Sequence, residues 1–369
     1  MKISDRPKSV ICIGGGKSQL PLIKEVKKSG WHLIVIDQDP KAVGFAHADL
    51  QIIESTYNFS FLKKHFVGLK QSHQFAGIIN RSSGPPVITA AKLAEFLGLE
   101  TIPIDTAKNL VNKHLLYKAF KHFDLKIPDT HIFKITENIE YSLQSPVIVK
   151  PSLSLVGKSG IQFVENQKDL LAAVEYAKDN TLNDHIIIQD FVEGIDITLV
   201  SFVRNSELHP ICYLQEMNPV SETGVITGKA CKTLNINKFS EIIKNINNLI
   251  YKIIHHFNII NSPLNIAFRL DSQNELSVIE IHLDLGGDLL LEQLIPAALE
   301  LNFAELALQY SVTSKFSYAY KPPRPSAVIF EAGDGLNSDR NFKLIQAQSF
   351  ESLDNQLNDI LPIAYDQQK

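Results

Sequence analysis

Residues 146–161 read PVIVKPSLSLVGKSGI, and the order of their chemistry decides the fold. Val147 to Val149 form a short apolar run bounded by proline, the pattern of a buried strand. That strand delivers Lys150 at its end. Pro151 stops the ladder because it has no N–H to donate. A loop of small, polar and glycine residues follows, with Lys158, Ser159 and Gly160 at its far end. A cation at a strand end beside a loop with many free N–H groups suits a polyphosphate, which needs point charge and donors together. Such a loop can close over its ligand and exclude water. Taken alone, the same residues also read as a solvated surface loop.

Further along, residues 185–200 read HIIIQDFVEGIDITLV. An apolar strand runs into Gln189, Asp190, Phe191 and Val192, and the chain then turns at Gly194. A linker of this kind can offer backbone donors and acceptors to a base, with Asp196 accepting from a ribose hydroxyl; an ordinary hairpin with a charged turn is the plainer reading. Residues 279–288, IEIHLDLGGD, alternate Ile279, Ile281, Leu283 and Leu285 with Glu280, His282 and Asp284. This period of two predicts a strand with one buried face. Two carboxylates and an imidazole in a row on the other face repel unless a cation lies over them, so the stretch reads either as a metal and phosphate site or as a solvated strand edge.

The first hundred residues alternate strand and helix. SVICIGGG, HLIVID, DLQIIES and FAGIIN read as strands; QLPLIKEVKKSG, FSFLKKHFVGLK and PPVITAAKLAEFLG read as helices, the last with proline at its start and Gly98 at its end. That alternation implies a parallel sheet covered on both faces. The first turn, Gly14-Gly15-Gly16, is not GxGxxG, which weighs against a dinucleotide-dependent oxidoreductase. Asp37 stands where a ribose-binding acid would stand, and a strand-end cap is the simpler reading. One helix is expected over 109–123. A long amphipathic helix is expected over 239–257, because Ile242, Ile246, Ile250 and Ile253 share a face. His255 and His256 close it as dipole partners. PLNIAFRL and LSVIEIHL form two strands around a turn at Asp271 to Asn274, and the tail after Ser317 is polar and proline-punctuated.

At 369 residues the chain suggests two or three domains. Its 44% hydrophobic and 21% charged content is that of a globular protein, and a net charge of −4 gives no reason to expect nucleic acid. Cys12, Cys212 and Cys231 fit neither a disulfide framework nor a zinc site. No apolar run approaches the roughly 18 residues of a membrane span. A cytoplasmic setting without membrane contact is the expectation.

In this order, the stretches resemble the ATP-grasp family across residues 8–310. VIVKPSLSLVGKSG resembles its lysine and lid, IIIQDFVEGID its adenine strand, and IEIHLDLGGD its closing metal strand. IDQDPKAVGFAHAD, INRSSGPPVITAAKLAEFLGLETI and the helix around Lys113 resemble its leading domain. The resemblance implies an α/β ATP-grasp fold divided as 1–108 (Rossmann-like parallel-sheet domain), 109–195 (small α+β lid domain), 196–317 (C-terminal α+β domain) and 318–369 (extension). ETG at 222–224 followed by LGGD at 285–288 is most like amino-acid ligases of the carboxylate–amine type.

The resemblance also implies roles. Lys113 and Lys150 contact ATP phosphates under a lid that includes Ser159 and Gly160. Gln189, Asp190, Phe191 and Val192 border adenine, with Asp196 on the ribose. Magnesium, or manganese in its place, sits on the closing strand. Here the pattern departs from the family's: Ala267 replaces a carboxylate, His282 an asparagine and Asp284 an arginine. A relocated site would use Glu280, Asp284 and His282 for the metal, with Arg269 and Lys158 as catalytic cations. The implied substrates are ATP, a small carboxylate and an amine, and the assembly admits a homodimer. The alternative is a degraded member that binds nucleotide or a metabolite without ligase activity.

Overall fold

The computed structural model describes residues 6–121, 125–154, 158–287, 289–331 and 341–361. Strands β1 (Lys8–Ile13), β2 (His32–Asp37), β3 (Leu50–Ile53) and β4 (Gln74–Asn80) pair in parallel in the order β3-β2-β1-β4. Helix α1 (Leu20–Lys28) connects β1 to β2, helix α2 (Phe59–Leu69) connects β3 to β4, and helix α3 (Pro85–Leu97) follows β4. Both faces of this sheet are buried, as a parallel sheet requires. Ile11, Ile13, Ile34 and Ile36 meet Leu62, Phe66 and Leu93 on one side. Val10, Cys12 and Val35 join a core with Phe202, Leu291 and Phe303 on the other. Asp37 is a cap: its carboxylate accepts from Gly15 N at 2.7 Å and from Asp39 N at 2.9 Å, holding the glycine turn closed.

The helix expected over 109–123 is two helices among the described residues, α4 (Ile104–Val111) and α5 (Lys113–Phe120). Asn112 breaks them with extended backbone (φ −94, ψ 108), and its side-chain amide donates to Lys108 O at 2.7 Å. Asparagine favours such a break because its side chain competes for backbone partners. The break makes Lys113 the first residue of α5.

A small antiparallel sheet follows, ordered β5-β8-β6-β7, from β5 (Thr130–Lys134), β6 (Val147–Pro151), β7 (Gln162–Val164) and β8 (His185–Asp190), with α6 (Gln167–Asp179) against it. Val147, Val149, Ile186 and Ile188 face α6 through Leu170 and Val174. Alternation therefore turns Ile148, Lys150 and Gln189 to the opposite face, and Ile148 lies opposite Gln189 in the ladder.

The larger sheet is built from β9 (Ile195–Arg204), β10 (Glu207–Met217), β11 (Ala230–Thr233), β12 (Ser262–Leu270), β13 (Leu276–His282), β14 (Ser326–Phe330) and β15 (Phe342–Gln346). Its order is β13-β12-β9-β10-β11-β14-β15. Helix α7 (Ser240–His256) buries Ile246, Ile250 and Ile253 against Leu264 and Phe268. Helices α8 (Ile295–Leu299) and α9 (Phe303–Val312) follow, and α9 packs on α1 and β4. The polar tail after Ser317 does not run on as a loop. Its described residues add β14 and β15 to the sheet edge, and α10 (Phe350–Ile360) covers them with Leu353 and Leu357. Residues 332–340 and 362–369 of the expected extension lie outside the described residues.

Candidate active site

The inner faces of the small and large sheets bound a cleft of about 2590 Å³. On the small-sheet side Lys150, only 4% exposed, donates to Tyr117 Oη at 2.9 Å and Gln189 Oε1 at 2.8 Å. Both partners are neutral. Burial pushes the Lys150 amine down to about 7, partly opposed by the Glu280 carboxylate. Gln189 is held in turn by Thr130, to whose hydroxyl it donates at 2.8 Å. Gln189 therefore faces the lysine rather than an open base pocket.

On the large-sheet side, register aligns the polar residues in rows. Glu216, Asp196 and Arg269 lie abreast on β10, β9 and β12, and Thr198, Ala267 and Glu280 abreast on β9, β12 and β13. Asp196 is 3.2 Å from Arg269 Nε and accepts from Asn218 Nδ2 at 3.0 Å. Burial pushes its carboxyl up against the pull of Arg269 and Asn218. Arg269 also donates to Gly194 O at 2.9 Å and lies 5.3 Å from the centre of the Phe191 ring. The expected ribose acid and the expected catalytic arginine are thus paired with each other.

The expected metal strand departs from its sequence pattern in two ways. A bulge between Ala267 and Phe268 leaves Ile279 without a cross-strand partner, so buried parity passes from Leu276 and Val278 to Ile281 and Leu283. Ile279 is therefore not on the buried face; its carbonyl accepts from Tyr117 Oη at 2.6 Å. The strand also ends at His282, so Asp284 lies in the following turn. There Asp284 is buried and its Oδ1 accepts from Gly286 N at 2.8 Å, while its carbonyl accepts from Asn265 Nδ2 at 2.9 Å.

Cations do lie over Glu280, and they belong to the protein. Lys113 Nζ is 2.7 Å from Glu280 Oε1 and His282 Nε2 is 3.4 Å from Oε2. Burial raises the Glu280 carboxyl, but Lys113 and His282 outweigh it and hold it well below the usual range. Burial opposes the charge on His282, and Glu280 overrides it to raise the imidazole to about 9. Among the described residues no group of three or more histidine, cysteine or acidic side chains is arranged to hold an ion. Glu280, His282 and Asp284 thus fail as a joint ligand set. One carboxylate is paired with Lys113, the other caps a turn, and the imidazole turns its Nε2 toward Glu280. Magnesium, which demands hard oxygens in near-octahedral array, does not fit these residues as they stand.

Loop residues bridge the two sides. Lys158 donates to Asn218 Oδ1 at 2.5 Å and lies 3.8 Å from Glu216 Oε2. Ser159 donates to Asn180 Oδ1 at 2.7 Å, and Gly160 is buried against Pro151 and Asn180 rather than lining the cleft. Leu155, Val156 and Gly157 of the expected lid, and Asp288 of LGGD, lie outside the described residues. Asp190, Phe191 and Val192 line the cleft, although the Phe191 N–H is already donated to Pro146 O at 2.9 Å. Opposite them, the segment holding ETG pairs with β7: Val225 bridges Gln162, and Phe163 N donates to Gly224 O at 2.8 Å.

Sequence reasoning missed Tyr117, Glu216, Asn218, Arg81 and Ser152. Tyr117 was within reach, being one helical turn after Lys113 and so on its face. Arg81 gave no local signal; it joins distant parts, pairing with Glu292 and donating to Gly286 O at 3.1 Å and Ser18 O at 2.6 Å.

An ATP-grasp domain pattern matches residues 110–281. Formate-dependent phosphoribosylglycinamide formyltransferase of Prochlorococcus marinus subsp. pastoris (strain CCMP1986 / NIES-2087 / MED4) is 25% identical over 221 residues, covering 56% of this chain and 53% of that protein. The chain thus spans about half the length of that relative. The L-amino acid ligase of Bacillus licheniformis superposes with a TM-score of 0.72 at 20% identity, over 90% of this chain and 82% of that one. The N5-carboxyaminoimidazole synthetase of Staphylococcus aureus, solved with ADP, gives 0.72 at 15% identity over 99% and 98%. At these identities the likeness shows the fold.

Proposed function

We propose, from the premise that this chain carries an ATP-grasp domain at residues 110–281, that it uses ATP to join a small carboxylate to an amine. The observation that carries the reading is Lys150, a buried cation facing the cleft with only neutral hydrogen-bond partners. A buried charge without a counter-charge is costly, and a phosphate oxygen in the cleft supplies one. Lys150 then holds the polyphosphate. Asp190 to Val192 border the base, Phe191 offers it a ring, and Asp196 meets the ribose once a hydroxyl displaces Asn218 or Arg269. In the reaction the carboxylate oxygen attacks the γ-phosphorus, the bond to ADP breaks, and an acyl phosphate forms. The amine then attacks the carbonyl carbon, phosphate leaves, and the nitrogen loses a proton. The acyl phosphate needs shelter from water, and Leu153, Ser154, Lys158 and the segment around Gly224 line the cleft where that shelter is needed.

Two names among the similar proteins support the substrate class: one carries formate, a small carboxylate, and another carries L-amino acid and ligase. Metal ions supply charge neutralisation in phosphoryl transfer generally. The test is ADP and phosphate release while amino acids and other small carboxylates are screened with amine acceptors. Release that requires both a carboxylate and an amine is expected. ATP binding without release on any pair overturns the ligase reading and leaves a nucleotide binder.

A further inference from the structure

Helix α5 begins at Lys113, yet its own N-cap residue does not cap it. Asn112 makes no side-chain cap: its Nδ2 donates to Lys108 O at 2.7 Å, and its Oδ1 accepts from Asn183 Nδ2 at 3.4 Å instead of from the helix. The first N–H groups of a helix need partners from elsewhere. Here one residue far along the chain supplies two of them. Lys113 N donates to Ser152 O at 3.0 Å, and His114 N donates to Ser152 Oγ at 3.1 Å. Ser152 is fully buried and stands immediately after β6, one residue past Pro151 and two past Lys150.

The surroundings fix that serine. Its N–H donates to His185 O at 3.2 Å, and its Oγ accepts from Asn183 Nδ2 at 3.3 Å. His114 Nδ1 lies 2.7 Å from the same Oγ. Because Oγ already accepts from His114 N and Asn183, its proton is left to donate to His114 Nδ1, which makes that imidazole neutral with its hydrogen on Nε2. Burial first, then the neighbouring His185 charge, pushes His114 down to about 4, in keeping with that role. The His114 and His185 rings stack at 4.3 Å and 6°.

We propose that Ser152 is a positioning residue that caps α5 from the other strand segment and thereby sets Lys113 at its 2.7 Å contact with Glu280. One buried serine thus locks the two cleft lysines to each other: Lys150 two residues before it, and Lys113 through the helix end it caps. It deepens the proposed function, resting on it only for the consequence that nucleotide affinity depends on Ser152.

The experiment is lysine labelling of the full chain with an amine-acylating reagent, quantified residue by residue by mass spectrometry, in wild type and Ser152→Ala. Lys113 should label at least about threefold faster in the variant, while exposed Lys24 labels at an unchanged rate. Unchanged Lys113 labelling in a folded variant overturns the proposal. ATP affinity is then read by calorimetry in Ser152→Ala, Lys113→Met and the double variant. Loosening Lys113 leaves the Glu280 carboxylate uncompensated toward the phosphates. Ser152→Ala should therefore weaken binding about fivefold in the wild-type background and have no further effect with Lys113→Met, where Glu280 is already bare. An equal loss in both backgrounds shows general loosening and overturns the positioning role. Should wild type bind no ATP, the nucleotide reading fails and the labelling result still decides this one. Should Ser152→Ala not fold, nitrogen NMR of wild-type His114 decides. The Nε2–H tautomer at neutral pH supports the arrangement, and the Nδ1–H tautomer overturns it.

Discussion

Lys113 and Lys150 face the same cleft, and the protein treats them in opposite ways. Lys113 is 2.7 Å from Glu280, a charge met by a charge, and although burial opposes it, that carboxylate raises its amine above the ordinary value. Lys150 meets a phenol and an amide, and burial pushes it down to about 7. One cation is neutralised internally and the other is held ready for an anion from outside. Position relative to a carboxylate therefore decides function where residue type does not, since both are lysines at the edge of regular structure.

The sharpest way to break this contrast is Lys150→Met. It removes a charge-assisted contact worth roughly 1.5–3 kcal/mol, so ATP binding should weaken at least about tenfold in calorimetry. Without nucleotide the thermal midpoint should hold or rise, because an uncompensated buried charge is removed with little change in volume. A fall in midpoint with unchanged affinity would make Lys150 a structural residue.

Glu280→Gln probes the other side. It removes the counter-charge of Lys113 and keeps the shape, so Lys113 becomes available to a phosphate. Metal-free ATP binding, measured in chelator, should tighten about threefold, consistent with a partly exposed ion pair of modest worth. If Glu280 serves a metal instead, affinity measured with magnesium present falls and its dependence on magnesium disappears. The sign of the change separates the two.

The sequence carried much of this fold, because periodicity is local. The parallel sheet, the lysine strand and α7 were all legible from alternation at two or from three- and four-residue steps. What escaped notice depends on events between segments. The bulge at Ile279 shifts parity within one strand, and the alternation Ile279, Ile281, Leu283 hides it, since isoleucine suits either face. The helix end that follows the break at Asn112 is capped by a serine forty residues later, which no window around 109–123 contains. The strand β15 looks polar because it is the sheet edge and buries only Ile345, whereas β14, SAVIF, is wholly buried between β11 and β15 but is only five residues long. Charge pairing was the least legible of all. Composition shows that Glu280 needs a cation, but only the folded chain shows that Lys113 supplies it.

A smaller effect is expected at Gly224, which brings the ETG segment to the edge of β7. Its φ is +77, and a Cβ there would lie 2.4 Å from Phe163 O. Gly224→Ala should break the bridge and free that edge. Faster proteolysis between 218 and 229, at an unchanged melting midpoint, is the outcome to look for; equal cutting rates would mean that the segment is held by other contacts.

The finest difference between the two lysines is their response to pH. In the folded chain Lys150 titrates near 7, and in the unfolded chain near the ordinary ~10.4. Between those values the unfolded chain binds more protons, so this group's cost to stability is greatest below 7 and is relieved as pH rises toward the unfolded value. Bound phosphate reverses the preference, because an anion beside the amine restores its proton. At pH 8, therefore, ATP binding should take up a fraction of a proton, and affinity should fall as pH rises above 7. The uptake is read from binding enthalpies in buffers of different ionisation heat. It should vanish in Lys150→Met and persist in Lys113→Met, because Lys113 is already charged beside Glu280. Uptake that survives Lys150→Met would place the titrating group elsewhere and remove the contrast between the two lysines.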